Sequence, residues 1–260
     1  MTQGLHQFAR SLGPWLACLS ALVASTGALA LGCETTTVSD PGTTLTLEKD
    51  IVCGEVGDVG ITVAADDVTI DLDGHTISGF KKEKSVGIRV DGHTDVRILN
   101  GTIEFFERGL FISNANRVDV TNVVSRGNRK DGIRVQSGME VGLVNNEVLD
   151  NTNGIVVENG SDIQLLSNEA HDNSNVSFNV SGATAVKVAN NQSSGGEDGF
   201  RFIGPGDAII SANQVKNFKG YGFKFGDTPG IVITTDGGRN KAKGKPSKAC
   251  FPDPCPLDLK

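Results

Sequence analysis

The 260-residue sequence contains no pair of C-x-x-C motifs, no Gly-Gly-x-Gly-x-Asp run and no net positive charge. The first absence removes the familiar zinc spacings and leaves the few cysteines to be read as disulfides. The second excludes calcium-binding nonapeptide repeats. A formal net charge of −7 argues against a general nucleic-acid binder. An unbroken apolar stretch of membrane-spanning length is also missing, because the run from Trp15 to Val23 is short and Gly13-Pro14, Ser20 and Ser25-Thr26 break its surroundings. No two histidines and a carboxylate share a metal-binding spacing, so neither a metal nor another cofactor is expected.

What is present begins with an export signature. Arg10, the short apolar run and the small residues ending in Ala28-Leu29-Ala30 have the order of a secretory signal, with cleavage expected after Ala30. Residues 1–30 are therefore read as signal peptide, 31–59 as an N-terminal cap, 60–236 as a repeat domain and 237–260 as a Gly/Lys/Pro-rich tail. Cleavage would leave 23 basic and 31 acidic residues and remove Cys18. The four remaining cysteines, Cys33, Cys53, Cys250 and Cys255, allow three disulfide connectivities, of which the local one puts a staple at each end. The expected product is secreted or periplasmic, monomeric and free of the membrane.

Internal repetition dominates the middle of the chain. The tetrad Gly87-Ile88-Arg89-Val90 recurs as Gly109-Leu110-Phe111-Ile112, Gly132-Ile133-Arg134-Val135 and Gly154-Ile155-Val156-Val157. It continues as Ser177-Phe178-Asn179-Val180, Gly199-Phe200-Arg201-Phe202 and Gly222-Phe223-Lys224-Phe225, at steps of 22 or 23 residues. An earlier copy, Gly60-Ile61-Thr62-Val63, lies upstream of the insertion Lys81-Lys82-Glu83-Lys84. A second apolar pair, such as Val96/Ile98 or Val141/Leu143, keeps the same beat, and a weaker third strand carries Ile77, Ile103, Val124, Val148, Ala170 and Val215. Alternation of period two means strands with these residues inward. One such coil cannot bury its few apolar side chains alone, so the coils must stack. The pattern predicts an all-β, single-stranded parallel β-helix of about eight coils, each with three short strands. Asn100, Asn122, Asn146, Asn168, Asn191 and Asn213 are read as one row of stacked amides, with Asp73 and Asp236 in the terminal copies. A second row is read from Asn128, Asn151, Asn173 and Asn217.

The segment from Asp67 to Gly79, Asp-Val-Thr-Ile-Asp-Leu-Asp-Gly-His-Thr-Ile-Ser-Gly, followed by the Gly-Ile-x-Val coils, resembles the right-handed parallel β-helix family of exported bacterial proteins. That group is related in architecture to pectate lyases and to periplasmic copper-maturation proteins of the same repeat type. The resemblance implies the hand of the coil; it does not imply an activity, since the scaffold carries lyases, hydrolases, epimerases and non-enzymatic members. The polygalacturonase motifs reduce here to Arg97-Ile98-Leu99, and the Asp-Pro-His-Glu run of alginate epimerases is absent. No family catalytic residue transfers.

Function is then sought on the outward side of the first strand. Its middle positions read Thr62, Arg89, Phe111, Arg134, Val156, Asn179, Arg201 and Lys224. The turn before it adds Lys82, Lys84, Arg108, Arg129, Lys130 and Lys219. A row with four cations and no acid suits an acidic polysaccharide, whose carboxylates arginine grips in bidentate fashion. Arg89, Phe111, Arg134, Arg201 and Lys224 are the expected ligand-binding residues, with Phe111 stacking on a sugar. Catalysis of a lyase type would need a base and a cation, for which His93, Lys130 and Arg134 are the available groups. The preferred reading is a binding β-helix without catalytic residues. The alternatives are a polysaccharide lyase or hydrolase with an atypical site, and a structural or surface-interaction rod.

Overall fold

The structure is a computed structural model that describes residues 36–204, 206–226, 231–244, 248–252 and 254–259. Its strands are wound into a right-handed parallel β-helix of about nine turns, with no α-helix among the described residues. Each turn contributes one strand to each of three sheets, which we call the first, second and third sides in chain order. Every pairing among the described strands is parallel. On the first side, Ile61 pairs with Ile88, Ile88 with Leu110, Leu110 with Ile133 and Ile133 with Ile155. The same one-rung step holds on the second side, from Ile70 through Ile98, Val120 and Leu143 to Leu165. The tetrads and the inward pairs thus define the stack as the periodicity requires.

Burial explains why those positions are apolar. Ile88, Ile98, Ile103, Leu110, Ile133, Leu143 and Ile155 are completely shielded from water, each contributing about 1.5–3 kcal/mol of transfer free energy. Toward the C-terminal turns the inward residue becomes phenylalanine, and Phe178, Phe200 and Phe223 stack with centroids 4.6 and 5.0 Å apart. The glycine that opens the tetrad is there for space. A Cβ on Gly87 would lie 2.6 Å from the carbonyl oxygen of Gly109 and would overlap Cγ2 of Ile103. The one tetrad with serine instead, at Ser177, is accommodated by a second serine: Ser193 Oγ lies 2.8 Å from Ser177 Oγ. That position holds Ile103, Ser125, Val148, Ala170 or Val215 in other turns. Ser125, and not the expected Val124, is the inward residue of its turn. Gly87→Ala is expected to cost about 1–3 kcal/mol through overpacking, read as a lowered midpoint in urea denaturation with an unchanged slope.

The asparagine rows exist, with a corrected membership. Asn146, Asn168, Asn191, Asn213 and Asn240 form a buried ladder in which each Nδ2 donates to the Oδ1 of the next residue at 3.0–3.1 Å. The other Nδ2 hydrogen reaches back to a carbonyl of the preceding turn, Leu143 for Asn168 and Leu165 for Asn191. Each Oδ1 also accepts the backbone N–H of the residue one rung below. Asn100 and Asn122 stand one position earlier, at the exposed left-handed residue of the turn (φ 56° in both), so they lie outside this ladder. Asp73 shares their exposed, left-handed position, and the side chain of Asp236 is outside the described residues. The second ladder, Asn128–Asn151–Asn173, is buried and bonded in the same way. Asn217 is not its fourth member, being exposed at a φ of 56°.

Regular rungs continue at both ends. Thr36–Val38, Thr44–Thr46 and Ile51–Val52 pair in parallel with the strands of the next turn. Lys241–Lys243 and Cys250–Phe251 pair with the last third-side and first-side strands. Cys250 and Cys255 are joined by a disulfide. Cys53 is also disulfide-bonded, while its expected partner Cys33 and the expected signal segment 1–30 lie outside the described residues.

Candidate functional site

The first side brings the sequence-derived row together. Thr62, Arg89, Phe111, Arg134, Val156, Asn179, Arg201 and Lys224 are consecutive register partners, one per rung. All are half-buried except Val156, which is 2% exposed between its register neighbours Arg134 and Asn179.

Around this row runs a line of carboxylates and amides that the sequence reading did not include. Arg134 reaches Asp131 at 3.2 Å and also bonds Glu158. Arg201 binds Asp198 at 2.6 Å. Both aspartates are buried, at 2% and 3% exposure, and both are fixed from behind. Asp131 accepts Arg108 Nε at 3.3 Å and Asn153 Nδ2 at 2.8 Å, and Asn153 in turn accepts from Asn175. Asp198 accepts the Tyr221 amide at 2.8 Å. The arginines of the row are therefore held in fixed directions, and the charge of the face is close to balanced. Arg89 differs. Its Nε is buried without a hydrogen-bond partner, and no carboxylate lies within ion-pair distance among the described residues. The neighbouring Asp91 carboxyl is held below its ordinary value, by hydrogen bonds from Ser113 and Asn114 and then by the charge of Arg89. Phe111 carries the Arg108 guanidinium 5.5 Å from its ring centroid, and Lys224 lies 5.9 Å from the Tyr221 ring. Asn179 Oδ1 is buried without a partner.

Three cations of the preceding turn, Arg108, Arg129 and Lys130, converge on one buried carboxylate. Glu107, 4% exposed, accepts the Lys84 amide at 2.9 Å, Arg129 at 2.9 Å and Lys130 at 3.0 Å, with Arg108 at 3.4 Å. Burial by itself pushes the Glu107 carboxyl up, but the Lys84 amide, Lys130 and Arg129 outweigh it and lower the pKa to about 2.

His93, Lys130 and Arg134 each have separate partners. His93 Nδ1 lies 3.2 Å from Asp66, which also accepts the Thr94 amide. His75 repeats that arrangement one coil earlier, with Asp50 and the Thr76 amide at 3.2 and 2.9 Å. The aspartate that orients His93 thus comes from the turn below and not from Asp91 or Asp95. His93 follows the strand Val86–Asp91, whereas Lys130 precedes the strand Asp131–Val144, so the two lie at opposite edges of the first side. His171 is bonded at both ring nitrogens, to Glu147 at 2.9 Å and Asp172 at 3.1 Å. Burial pulls its pKa down, and these carboxylates more than reverse that, leaving it raised.

Comparison with known proteins adds a family. A family model described as "Periplasmic copper-binding protein (NosD)" matches residues 66–235. Among curated proteins none matches the sequence. Solved structures are similar at low identity. The surface adhesin PfbA of Streptococcus pneumoniae is 13% identical with a TM-score of 0.44, over 72% of this chain and 64% of that one. The Agl-KA catalytic domain is 14% identical with a TM-score of 0.42, over 78% of this chain and 51% of that one. The chain thus spans between half and two thirds of those structures.

The family description raises copper, which thiolate, thioether and imidazole ligands hold best. Among the described residues no group of three or more His, Cys, Asp or Glu side chains is arranged to hold a metal ion. The described cysteines are in disulfides, and Met139 is a solitary surface residue. His75, His93 and His171 sit in separate turns, each with its own carboxylate. These residues do not fit a copper centre.

Proposed function

The chain belongs to the NosD family, and on that footing we propose that it is an extracytoplasmic, non-catalytic β-helix that binds an extended acidic polysaccharide along its first side, from Arg89 to Lys224. The observation that carries this reading is the orientation of the row. Buried Asp131 and Asp198 fix Arg134 and Arg201 before any ligand arrives, which lowers the ordering cost of binding. Five N–H donors per guanidinium leave hydrogens free for a ligand carboxylate. Arg89 and Phe111 form the strongest part of the surface: an arginine without an ion-pair partner beside a half-buried ring, in register. Binding without chemistry is favoured because His93, Lys130 and Arg134 are engaged apart from one another, and because the His93 arrangement recurs at His75 as a turn device.

The test is retention of the purified protein on polygalacturonate and on a neutral glucan, with the solution assayed for unsaturated product. Acidic polymer is expected to retain the protein, and Arg89→Gln with Phe111→Ala to weaken retention at least tenfold. Release of unsaturated product would replace this reading with a lyase. Equal behaviour on the two polymers would leave a structural rod.

A further inference from the structure

On the third side, the row Glu169, Gln192, Gln214 and Lys241 runs in register beside the row His171, Ser194, Lys216 and Lys243. We propose that the C-terminal end of this side is a phosphate-binding groove built on Lys216, Lys241 and Lys243, with Gln192 and Gln214 as neutral donors. It is separate from the polysaccharide surface and does not depend on it.

Charge placement is the first observation. Residues 206–260 hold nine basic and five acidic residues, whereas residues 36–205 hold fourteen basic and twenty-five acidic ones. The excess positive charge is gathered in the last turns of a chain whose total is −7. The second observation is register. Lys216 and Lys243 are direct partners on adjacent strands, and Lys241 is two residues from Lys243 on the same strand. Three ammonium groups therefore share a patch about 5 by 7 Å across at the backbone. Like charges placed directly opposite each other in a sheet repel and destabilise it. Seven cations elsewhere, Arg108, Arg117, Arg126, Arg129, Lys130, Arg134 and Arg201, have carboxylate partners, whereas Arg89 and most lysines have none among the described residues. What sets Lys216, Lys241 and Lys243 apart is that they are unpaired among the described residues and adjacent. The acid on the same row, Glu169, is three rungs from Lys241, roughly 14 Å at the strand spacing. A repulsive triad maintained without a partner is explained by an anion that occupies it.

Shape and residue type narrow that anion. The groove has a volume of about 180 Å³ and lies where the inward residues shrink to Ala170 and Ser193. Sites for drug-sized ligands begin at roughly 300 Å³, so this one takes a single anionic group and not a length of sugar chain. Three lysines present compact point charges from several directions, which lets them meet the separate oxygens of a tetrahedral dianion at once. The ligand class is a phosphate group, either free or as a monoester on a sugar.

Titration calorimetry with inorganic phosphate, glucose 1-phosphate and galacturonate, at matched ionic strength in chloride, tests the proposal. Inorganic phosphate is expected to bind, and Lys216→Gln/Lys241→Gln/Lys243→Gln to weaken it at least tenfold. The same triple variant should melt no lower than the wild type in phosphate-free buffer, because removing the triad removes repulsion. Glucose 1-phosphate binding more tightly than inorganic phosphate identifies an ester as the natural source; the reverse identifies the free ion. The proposal is overturned if phosphate has no effect beyond chloride, if galacturonate binds as tightly, or if the triple variant retains phosphate binding. Retention of the triple variant on polygalacturonate reports on the first side separately.

Discussion

Asn168→Ala is expected to destabilise the protein by about 3–5 kcal/mol, a large part of the roughly 5–15 kcal/mol that stabilises an ordinary domain. The alanine deprives the backbone N–H and Nδ2 of Asn146 of their shared acceptor, and the Leu143 carbonyl of its donor. These groups lie in the buried ladder, where no water replaces the lost partner, and each unsatisfied group costs about 1–3 kcal/mol. Asn122→Ala is the control. Asn122 is exposed and makes one side-chain bond at 3.3 Å, to Asn100, so its loss should cost less than about 1 kcal/mol. Urea denaturation of the two variants beside the wild type decides the matter. Equal, small losses would mean that the ladder does not hold the turns in place.

Glu107→Gln is the second large effect, about 3 kcal/mol at neutral pH. The glutamine keeps the shape but leaves Lys130 without its carboxylate and weakens the hold on Arg129 and Arg108, and breaking a buried ion pair from one side is costly. The pH dependence follows from the depressed carboxyl. Its value falls from 4.5 to about 2 on folding, so the folded state binds the proton less readily than the unfolded state. The stabilisation is fully present above about pH 4.5 and fades as the pH falls toward 2. Wild-type stability should therefore decline more steeply through this acid range than that of the variant. Parallel acid curves for the two proteins would show that Glu107 is not the anchor of these cations.

The sequence disclosed the parts of the fold that repeat with an even beat. Alternation alone puts Ile88, Ile98 and Ile103 inward, and all three are shielded from water. What escaped it depends on odd spacings. Asp131 lies three residues before Arg134, so strict alternation puts the two on opposite sides; in the fold Asp131, the first residue of its strand, nevertheless meets the guanidinium. Asp198 and Arg201 repeat the same spacing and the same contact. The cationic row was legible, and the acids that balance it were not. The asparagine ladder was misaligned for a related reason. Asn122 to Asn146 is a step of 24 residues, and the extra residue moves the amide from the exposed left-handed corner to the buried position next to it. The third side was the least readable. Its strands are three residues long in most turns and have one inward residue each, too few to reveal which neighbours face water. Lys216, Lys241 and Lys243 became a cluster only when Lys241–Lys243 proved to be a rung.

The one-residue-per-turn register of the three sides gives the molecule a property of a ruler. Side chains in one row can be separated only by whole numbers of a single interval, so Arg89, Arg134 and Arg201 mark positions zero, two and five on a fixed scale. A polymer whose own period divides that scale meets every mark, and one with an incommensurate period meets the first and drifts off the rest. If the proposed binding holds, selectivity on such a surface is decided by length and phase, and shifting one mark by a single graduation would change which chains fit it.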